Sequence, residues 1–125
     1  MIYLDTHVVL WLYEGLLDRF SVSAKQQLEE NDLIISPMVQ LELQYLFEIK
    51  RIKRDSSVIV NELIKKISLE ICKEPLQMII QTAISLCWTR DPFDRLIVAT
   101  AQISNATLLT KDTHIALHYK NAVWD

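Results

Sequence analysis

The chain contains a single glycine, Gly15, among its 125 residues. Loops that cradle phosphate with backbone amides, such as GxxxxGK[ST] and GxGxxG, need several glycines at fixed spacing. Hairpin-rich sandwiches and barrels also use glycine in their tight turns. The scarcity of glycine therefore excludes a P-loop or dinucleotide-binding loop and argues against an all-β fold.

Composition favours one globular domain with a mildly acidic surface. Half of the residues are hydrophobic, which is enough to form a core. The chain has 13 Lys and Arg residues and 16 Asp and Glu residues, which gives a net charge of −3. Non-specific nucleic-acid binders usually carry the opposite sign. No apolar run approaches the roughly 18 residues of a membrane span, and the amino terminus lacks the basic stretch of a signal peptide. We therefore expect one soluble, cytoplasmic domain over residues 1–125.

Short apolar runs alternate with longer helical patterns along the chain. The predicted strands are Ile2–Leu4, Leu33–Ile35, Thr107–Leu109 and Ala122–Trp124, with Ser68–Cys72 as a weaker candidate. The predicted helices are Val8–Tyr13, Ala24–Glu30, Pro37–Lys50, Ser57–Ile67, Leu76–Cys87 and Pro92–Ser104. Such alternation predicts an α/β fold, with a mostly parallel sheet flanked by helices on both faces.

Several residues are expected at helix ends. Ser36 before Pro37 and Asp91 before Pro92 have the pattern of an N-cap followed by proline in the first turn. Ser23 is a candidate N-cap for the second helix, and Asn105 is suited to a left-handed position after the helix Pro92–Ser104. Cys72 and Cys87 lack metal-ligand spacing and are predicted to be buried free thiols.

Four carboxylates are expected to meet at one edge of the sheet, where the carboxyl ends of parallel strands collect function. Asp5 follows the first strand, Glu42 lies in the helix after the second, Asp94 opens the helix Pro92–Ser104, and Asp112 follows the strand Thr107–Leu109. Such acids would repel one another unless a cation neutralised them, and oxygen ligands suit Mg²⁺ or Mn²⁺. A metal there could activate water for attack on a phosphodiester. Thr6, Ser36 and Thr110 could orient the ligands.

Each acid taken singly has a structural interpretation. Asp5 would be a strand-end residue, Asp94 a partner of the helix dipole, Asp112 an N-cap and Glu42 part of a solvated helix face. The convergence of all four on one edge is what favours a functional site.

Four stretches of the sequence together resemble the PIN domain and in particular the VapC-type toxins of type II toxin–antitoxin pairs, and the resemblance extends from Met1 to Trp124. They are MIYLDTHVVLWL, ISPMVQLEL, TRDPFDRLIVATA and TLLTKD, of which RDPFDRL is the most specific. The resemblance implies a Mg²⁺- or Mn²⁺-dependent ribonuclease that hydrolyses RNA by a metal-activated water. It also implies a VapB-like antitoxin as partner, a homodimer and a toxin–antitoxin hetero-oligomer.

By the same resemblance, the acidic quartet of the family matches Asp5, Glu42, Asp94 and Asp112. Asp91 is interpreted as a helix cap and accessory group. Arg90, Arg95 and Lys111 are candidate phosphate contacts because the motifs place them beside the acids.

Other features allow two interpretations. The run Lys50–Arg54 is either a patch for the RNA backbone or, more simply, a solvated helix end. His114 and His118 have metal-ligand spacing but no third ligand, so surface histidines are expected, and His7 is a helix-start residue near the pocket rim. The segment Met38–Ile49 is apolar on nearly every side and is expected to be buried on two sides, either in the core or in an interface. Trp11, Trp88 and Trp124 are expected in the core or an interface.

Two other functions were compatible with the residues. One is a catalytically inactive PIN-like module that binds RNA or protein. The other is a phosphoacceptor receiver domain, which is disfavoured because Asp5 is followed by Thr6 and not by a second acid.

Overall fold

Five short strands form one sheet in the order β3-β2-β1-β4-β5, and every neighbouring pair is parallel. The computed structural model describes all 125 residues. The strands are β1 (Ile2–Leu4), β2 (Leu33–Ile35), β3 (Glu70–Ile71), β4 (Thr107–Leu109) and β5 (Ala122–Val123). The predicted α/β class is confirmed, and the weak candidate Ser68–Cys72 is a strand over its central two residues.

Seven helices and one 3₁₀ turn, Leu17–Arg19, connect the strands. The helices are α1 (Thr6–Glu14), α2 (Val22–Glu30), α3 (Pro37–Glu48), α4 (Ser56–Ile67), α5 (Leu76–Ile84), α6 (Pro92–Ile103) and α7 (Thr113–His118). The chain builds outward from β1 to β3, then crosses back to β4 on the other side of β1. Right-handed crossovers in opposite directions place helices on both faces of the sheet. None of these helices combines the length and hydrophobicity needed to traverse a membrane.

The central strand β1 sets the register of the sheet. Ile2 pairs with Leu33 on one side and with Thr107 on the other, and Leu4 pairs with Leu109. Leu4, Ile35 and Leu109 are completely buried. Strands buried on both faces read as continuous apolar runs, which is why three-residue segments were recognisable in the sequence.

Several helix starts differ from the predicted ones because the capping residue lies earlier. The side chain of Ser21, not Ser23, accepts a hydrogen bond from the amide of Ala24 and begins α2. The first helix begins directly after Asp5, two residues before the predicted start. The helix α7 was not predicted as a separate element because it is only six residues long.

The predicted burial is wrong at two places. Cys72 is buried as expected, but Cys87 is exposed, because it lies in the turn after α5 and not within a helix. In α3 only Val39 and Leu43 are buried, so the expectation that this helix is buried on two sides does not hold within one chain. Four large apolar side chains are exposed on this helix and at its carboxyl cap, namely Leu41, Tyr45, Phe47 and Ile49.

Four residues have left-handed backbone conformations, although the chain has one glycine. Gly15 takes one of these positions, with φ of 72°, after α1, and Asn105 takes another, as predicted, with φ of 52°. Lys50 and Ser68 hold the other two, with φ of 63° and 57°. A side chain with a Cβ pays a steric cost in this region that glycine avoids.

Replacing Ser68 by glycine should therefore stabilise the protein. Ser68 is exposed and closes α4, where its amide donates to the carbonyl of Leu63. We expect Ser68→Gly to raise the free energy of unfolding by about 0.5–1 kcal/mol and the Tm by about 2–4 °C. Lys65→Gly, in the right-handed interior of α4, should instead cost about 1 kcal/mol. Thermal unfolding followed by circular dichroism measures both, and a loss of stability in Ser68→Gly would contradict the steric argument.

Candidate functional site

The order of strands in the sheet reverses its direction at β1 and β4, and their carboxyl ends open onto one crevice. In doubly wound α/β proteins such a switch point is where ligands bind. Asp5 follows β1 directly, and the segment Thr110–Asp112 follows β4 directly. Leu4 and Leu109 are register partners, so the two segments leave the sheet side by side.

Asp5 is the most buried acid of the site, with 7% of its surface exposed. One carboxylate oxygen accepts from the amide of Thr6 at 2.8 Å, which makes Asp5 the N-cap of α1. The other accepts from the hydroxyl of Thr110 at 2.6 Å. Burial raises the pKa of Asp5, and these two hydrogen bonds oppose the rise. The carboxylate is therefore fixed in orientation at a site that disfavours its charge.

Glu42 comes to the same place from α3. The hydroxyl of Thr6 donates a hydrogen bond to Oε1 of Glu42. The adjacent residues Asp5 and Thr6 therefore both take part in the site. Burial raises the pKa of Glu42, and the negative charges of Asp5 and Asp91 raise it further. The second carboxylate oxygen of Glu42 has no protein hydrogen bond.

Asp91 and Asp94 stand at the amino terminus of α6. Asp91 caps the helix, since its Oδ1 accepts from the amides of Phe93 at 2.8 Å and Asp94 at 3.2 Å. This confirms the predicted cap. The carboxylate of Asp94 accepts no hydrogen bond, and it is half-buried. Burial, and then the charges of the neighbouring acids with Asp91 foremost, raises the pKa of Asp94 to about 7.

Asp112 arrives after β4 and caps α7, with Oδ1 accepting from the amides of His114 and Ile115. Its own amide donates to the hydroxyl oxygen of Thr110 at 3.1 Å. Thr110 thus connects Asp112 to Asp5, because the same hydroxyl donates to the Asp5 carboxylate. Asp112 is therefore the N-cap of α7, as its structural interpretation predicts, and it also lies in the site.

These five acids line one open cleft of about 410 Å³. The four acids predicted to converge do so, and Asp91 joins them. The remaining lining residues are Lys111, His7, Val8 and Trp11. The chain contains one ion pair, between Lys66 and Glu62 on α4, so no cleft acid has a cationic partner within 4 Å. The nearest candidate, Lys111, holds its ammonium 6.0 Å above the ring of Trp124.

The side chains of three predicted residues, Ser36, Arg90 and Arg95, neither line the cleft nor contact its acids. Ser36 caps α3 through the amide of Met38 and receives a hydrogen bond from Thr100 at 3.0 Å, so it anchors the helix that carries Glu42. The guanidinium of Arg95 donates to the carbonyls of Ala83 and Ile84 at the end of α5. Arg90 likewise donates to the carbonyl of Cys87. The arginines of the RDPFDR segment therefore pack against the protein backbone, and Lys111 is the one predicted cation that lines the cleft.

Two aromatic side chains of α1 border the cleft. His7 and Trp11 are four residues apart on one face of the helix, with ring centroids 6.2 Å apart. Trp11 was expected in the core or an interface and is in fact partly buried against the core. In the sequence, His7 follows the Asp5–Thr6 pair directly and Trp11 lies four residues after His7 on the same helix face. This spacing could have placed both rings beside the acids.

The donor atoms suit a hard divalent cation. All are carboxylate oxygens, Asp94 has both oxygens free, and Glu42, Asp91 and Asp112 each have one oxygen without a protein hydrogen bond. The acids are not preassembled as a ligand cage, since no three of them are close enough to hold one ion in this conformation. Burial and the neighbouring negative charges both disfavour the charged form of Asp94, and a bound cation would oppose both effects.

The charge of Asp94 should destabilise the metal-free protein at neutral pH. A folded pKa of about 7, above the ordinary aspartate value of 3.8, means that the native state binds an extra proton between these two pH values. Stability should therefore fall as pH rises from about 4 to 7. After allowance for solvent screening, we expect Asp94→Asn to be more stable than wild type by about 1–2 kcal/mol at pH 8 and to be nearly equal below pH 4.

Urea unfolding in EDTA across this pH range measures the difference. Asp18→Asn, which alters an exposed acid outside the cleft, is the matched control and should leave the pH profile unchanged. Parallel profiles for Asp94→Asn and wild type would contradict the charge repulsion inferred for the cleft.

Comparison with known proteins places this geometry in a family. The family model described as "PIN domain" matches residues 2–121. The fold is similar to a chain of VapBC2 from Rickettsia felis bound to a DNA fragment of its promoter, with 23% identity, TM-score 0.66 and full coverage of both chains. It is also similar to a toxin–antitoxin complex from Klebsiella pneumoniae, with 20% identity, TM-score 0.69, and coverage of 98% of this chain and 96% of that one.

A search of curated protein sequences gave no significant match. The family match extends over nearly the whole chain and removes the phosphoacceptor receiver domain as an alternative. The acidic cleft at the switch point and the match over residues 2–121 lead to one conclusion: the chain belongs to the PIN domain family.

Proposed function

We propose that this protein is a metal-dependent endoribonuclease that uses Mg²⁺ or Mn²⁺. The observation that carries the proposal is the cleft at the switch point, where five carboxylates meet without a cationic partner. PIN domains are generally nucleases, and a nuclease site of this kind needs a cation between acidic protein and anionic substrate. Asp5, Glu42, Asp94 and Asp112 are the proposed ligands, with Asp91 as an accessory.

The chain supplies orientation at this site. Thr110 and the amide of Thr6 hold both oxygens of Asp5, while the Thr6 hydroxyl holds one oxygen of Glu42. Because these contacts come from the ends of β1 and β4, the acids are fixed by two adjacent strands in the middle of the sheet. Such second contacts keep ligands aligned and reduce the entropy lost on binding.

A bound divalent ion would supply the positive charge that activates water for attack on a phosphodiester and stabilises the leaving oxygen. Lys111 at the cleft wall contributes a further positive charge toward the phosphate. The rings of His7 and Trp11 offer an apolar surface on which a nucleobase can stack. The wall of the cleft therefore provides contacts for the phosphate and for the base of a nucleotide.

Cleavage of RNA should depend on both the metal and the acids. We expect wild-type protein to cleave single-stranded RNA in Mg²⁺ or Mn²⁺ and to lose all activity in EDTA. Asp5→Asn and Asp94→Asn should each lose at least about 100-fold in rate, since each removes a charged ligand. Asp18→Asn, which removes the same charge outside the cleft, should keep wild-type activity.

Gel analysis of labelled RNA gives the rates, and circular dichroism checks that each variant is folded. Full activity of Asp94→Asn would refute its assignment as a ligand. Metal-dependent RNA binding by wild type without any cleavage would instead support a catalytically inactive module.

We further propose that the protein is a VapC-type toxin neutralised by a VapB-like antitoxin. The structures it resembles include VapBC2 and a toxin–antitoxin complex, which supports an antitoxin as partner. Induced expression should then arrest growth with the wild type and not with Asp94→Asn, and co-expression of the antitoxin should relieve the arrest.

A homodimer is proposed from two exposed apolar stripes with i, i+4, i+8 spacing. One stripe is Leu41 and Tyr45 of α3 with Ile49 at its carboxyl cap, and the other is Leu76, Ile80 and Ile84 of α5. Residues at this spacing lie on one helix face, so each stripe is continuous along its helix. Exposed apolar patches rimmed by polar residues mark interfaces more often than open surface.

Disruption of the α3 stripe should convert the dimer to monomer. Leu41 is 55% exposed at the outer face of α3, so Leu41→Glu should weaken self-association without disturbing the fold. Leu117→Glu is the matched control, because Leu117 is 80% exposed on α7 and belongs to neither stripe. Sedimentation equilibrium measures the dissociation constant, for which we expect at least a tenfold increase in Leu41→Glu alone. A monomeric wild type would refute the dimer.

A further inference from the structure

A second cleft lies between the loop 49–55 and α1. The loop contributes Arg51, Ile52, Lys53 and Arg54, and α1 contributes Leu10, Tyr13 and Glu14, with Ile59 of α4 behind them. The cleft measures about 400 Å³, close to the size of the acidic one. Three cations therefore line a concave surface and do not merely project from a helix end.

The fixed position of the loop supports this distinction. The helix α3 ends at Glu48, and Lys50 in its left-handed conformation turns the chain away from the helix axis. Ile52 is half-buried and packs against the core, which anchors the middle of the loop. The half-buried Ile52 thus holds its neighbours Arg51 and Lys53 at the cleft.

The cations of this cleft are not neutralised within the chain. The single ion pair of the protein lies elsewhere, on α4, and Glu14 is the only acid among the residues that line the cleft. By contrast, Arg90 and Arg95 are engaged with backbone carbonyls, and Lys111 faces the acidic cleft. The segment Lys50–Arg54 thus holds four of the 13 Lys and Arg residues of an otherwise acidic protein.

The helix α1 joins the two clefts. His7, Trp11 and Glu14 share one face of the helix, at i, i+4 and i+7. The first two border the acidic cleft, and Glu14 borders the basic one. Seven residues of helix span about 10 Å. An extended polynucleotide lying along this face would reach both clefts within a few nucleotides.

We propose that the basic cleft binds backbone phosphates of the RNA next to the cleaved bond. The inference rests on the proposed ribonuclease function and extends it to the substrate path. The acidic cleft offers charge for one phosphate when its cation is bound, but its carboxylates repel the phosphates on either side. Arg51, Lys53 and Arg54 supply the attraction that the flanking phosphates need, and they bind without regard to sequence.

The test is RNA affinity as a function of salt. A fluorescein-labelled single-stranded RNA of about 20 nucleotides, longer than the site of a single small domain, is titrated in EDTA so that no cleavage occurs. Fluorescence anisotropy from about 50 to 200 mM KCl gives the slope of log K against log salt, where each single-strand phosphate contact contributes about 0.7. The variant combines Arg51→Ala, Lys53→Ala and Arg54→Ala.

We expect the triple variant to bind about tenfold more weakly at 50 mM KCl and its slope to be shallower by about 2, the value for three lost contacts. The matched control combines Lys65→Ala, Lys73→Ala and Lys120→Ala, which removes the same charge from exposed positions outside both clefts. If the two triple variants lose affinity and slope equally, the effect is net charge alone and the inference is overturned.

Cleavage of the same RNA in Mg²⁺ separates the two proposals. Cleavage by wild type together with unaltered RNA binding by the loop variant refutes the basic cleft and leaves the ribonuclease intact. Loop-dependent RNA binding without cleavage refutes the ribonuclease and supports the cleft. If the loop variant loses binding of an acidic protein partner and keeps its RNA affinity, the cleft serves that partner and the inference is overturned.

Discussion

Repulsion among carboxylates at the carboxyl ends of β1 and β4 is the constraint on which the site depends. Five acids share one cleft and none has an ion-pair partner, and burial together with the charges of these neighbours raises the pKa of Asp94 to about 7. A fold holds such a group only when local contacts oppose the repulsion. Here the opposing contacts are neutral hydrogen bonds from threonine hydroxyls and backbone amides, which orient the acids without cancelling their charge.

Three of the five acids stabilise the fold and line the site at once. Asp5, Asp91 and Asp112 are the N-caps of α1, α6 and α7, where a negative charge also interacts favourably with the helix dipole. The capping role of these residues is therefore compatible with the function proposed for them. Asp94 lies in the first turn of α6, where the helix dipole also favours its charge, but its carboxylate accepts no hydrogen bond.

Local patterns in the sequence predicted most of the fold. Buried parallel strands read as apolar runs, and Ser36-Pro37 and Asp91-Pro92 set the starts of α3 and α6. The convergence of Asp5, Glu42, Asp94 and Asp112 followed from parallel topology alone, because parallel strands end at one edge. The helix starts depend on residues adjacent in the chain, and the common edge depends on the parallel arrangement of the strands. Both can be inferred from a single sequence.

Features set by contacts between distant segments were not predictable in the same way. The burial of α3 depends on which helices pack against it, and its sequence does not record this. The helix is apolar on nearly every side, yet one of its faces is exposed. Arg95 stands beside Asp94 in the sequence, yet its guanidinium turns to the carbonyls of α5. Neighbouring positions on a helix point about 100° apart, so adjacency along the chain did not bring this cation to the acids.

The net charge of −3 obscures a separation of charge along α1. The acids collect near its amino terminus, at the end of β1, and three free cations collect near its carboxyl terminus. The net charge of the two groups together says little about nucleic-acid binding. The electrostatic field of each group extends over roughly a Debye length of 8–10 Å, which is similar to the distance between the clefts. A phosphate backbone in contact with this helix meets two local fields and not their average. An acidic pI is therefore compatible with RNA as a substrate when the cation at the acidic end is supplied from solution.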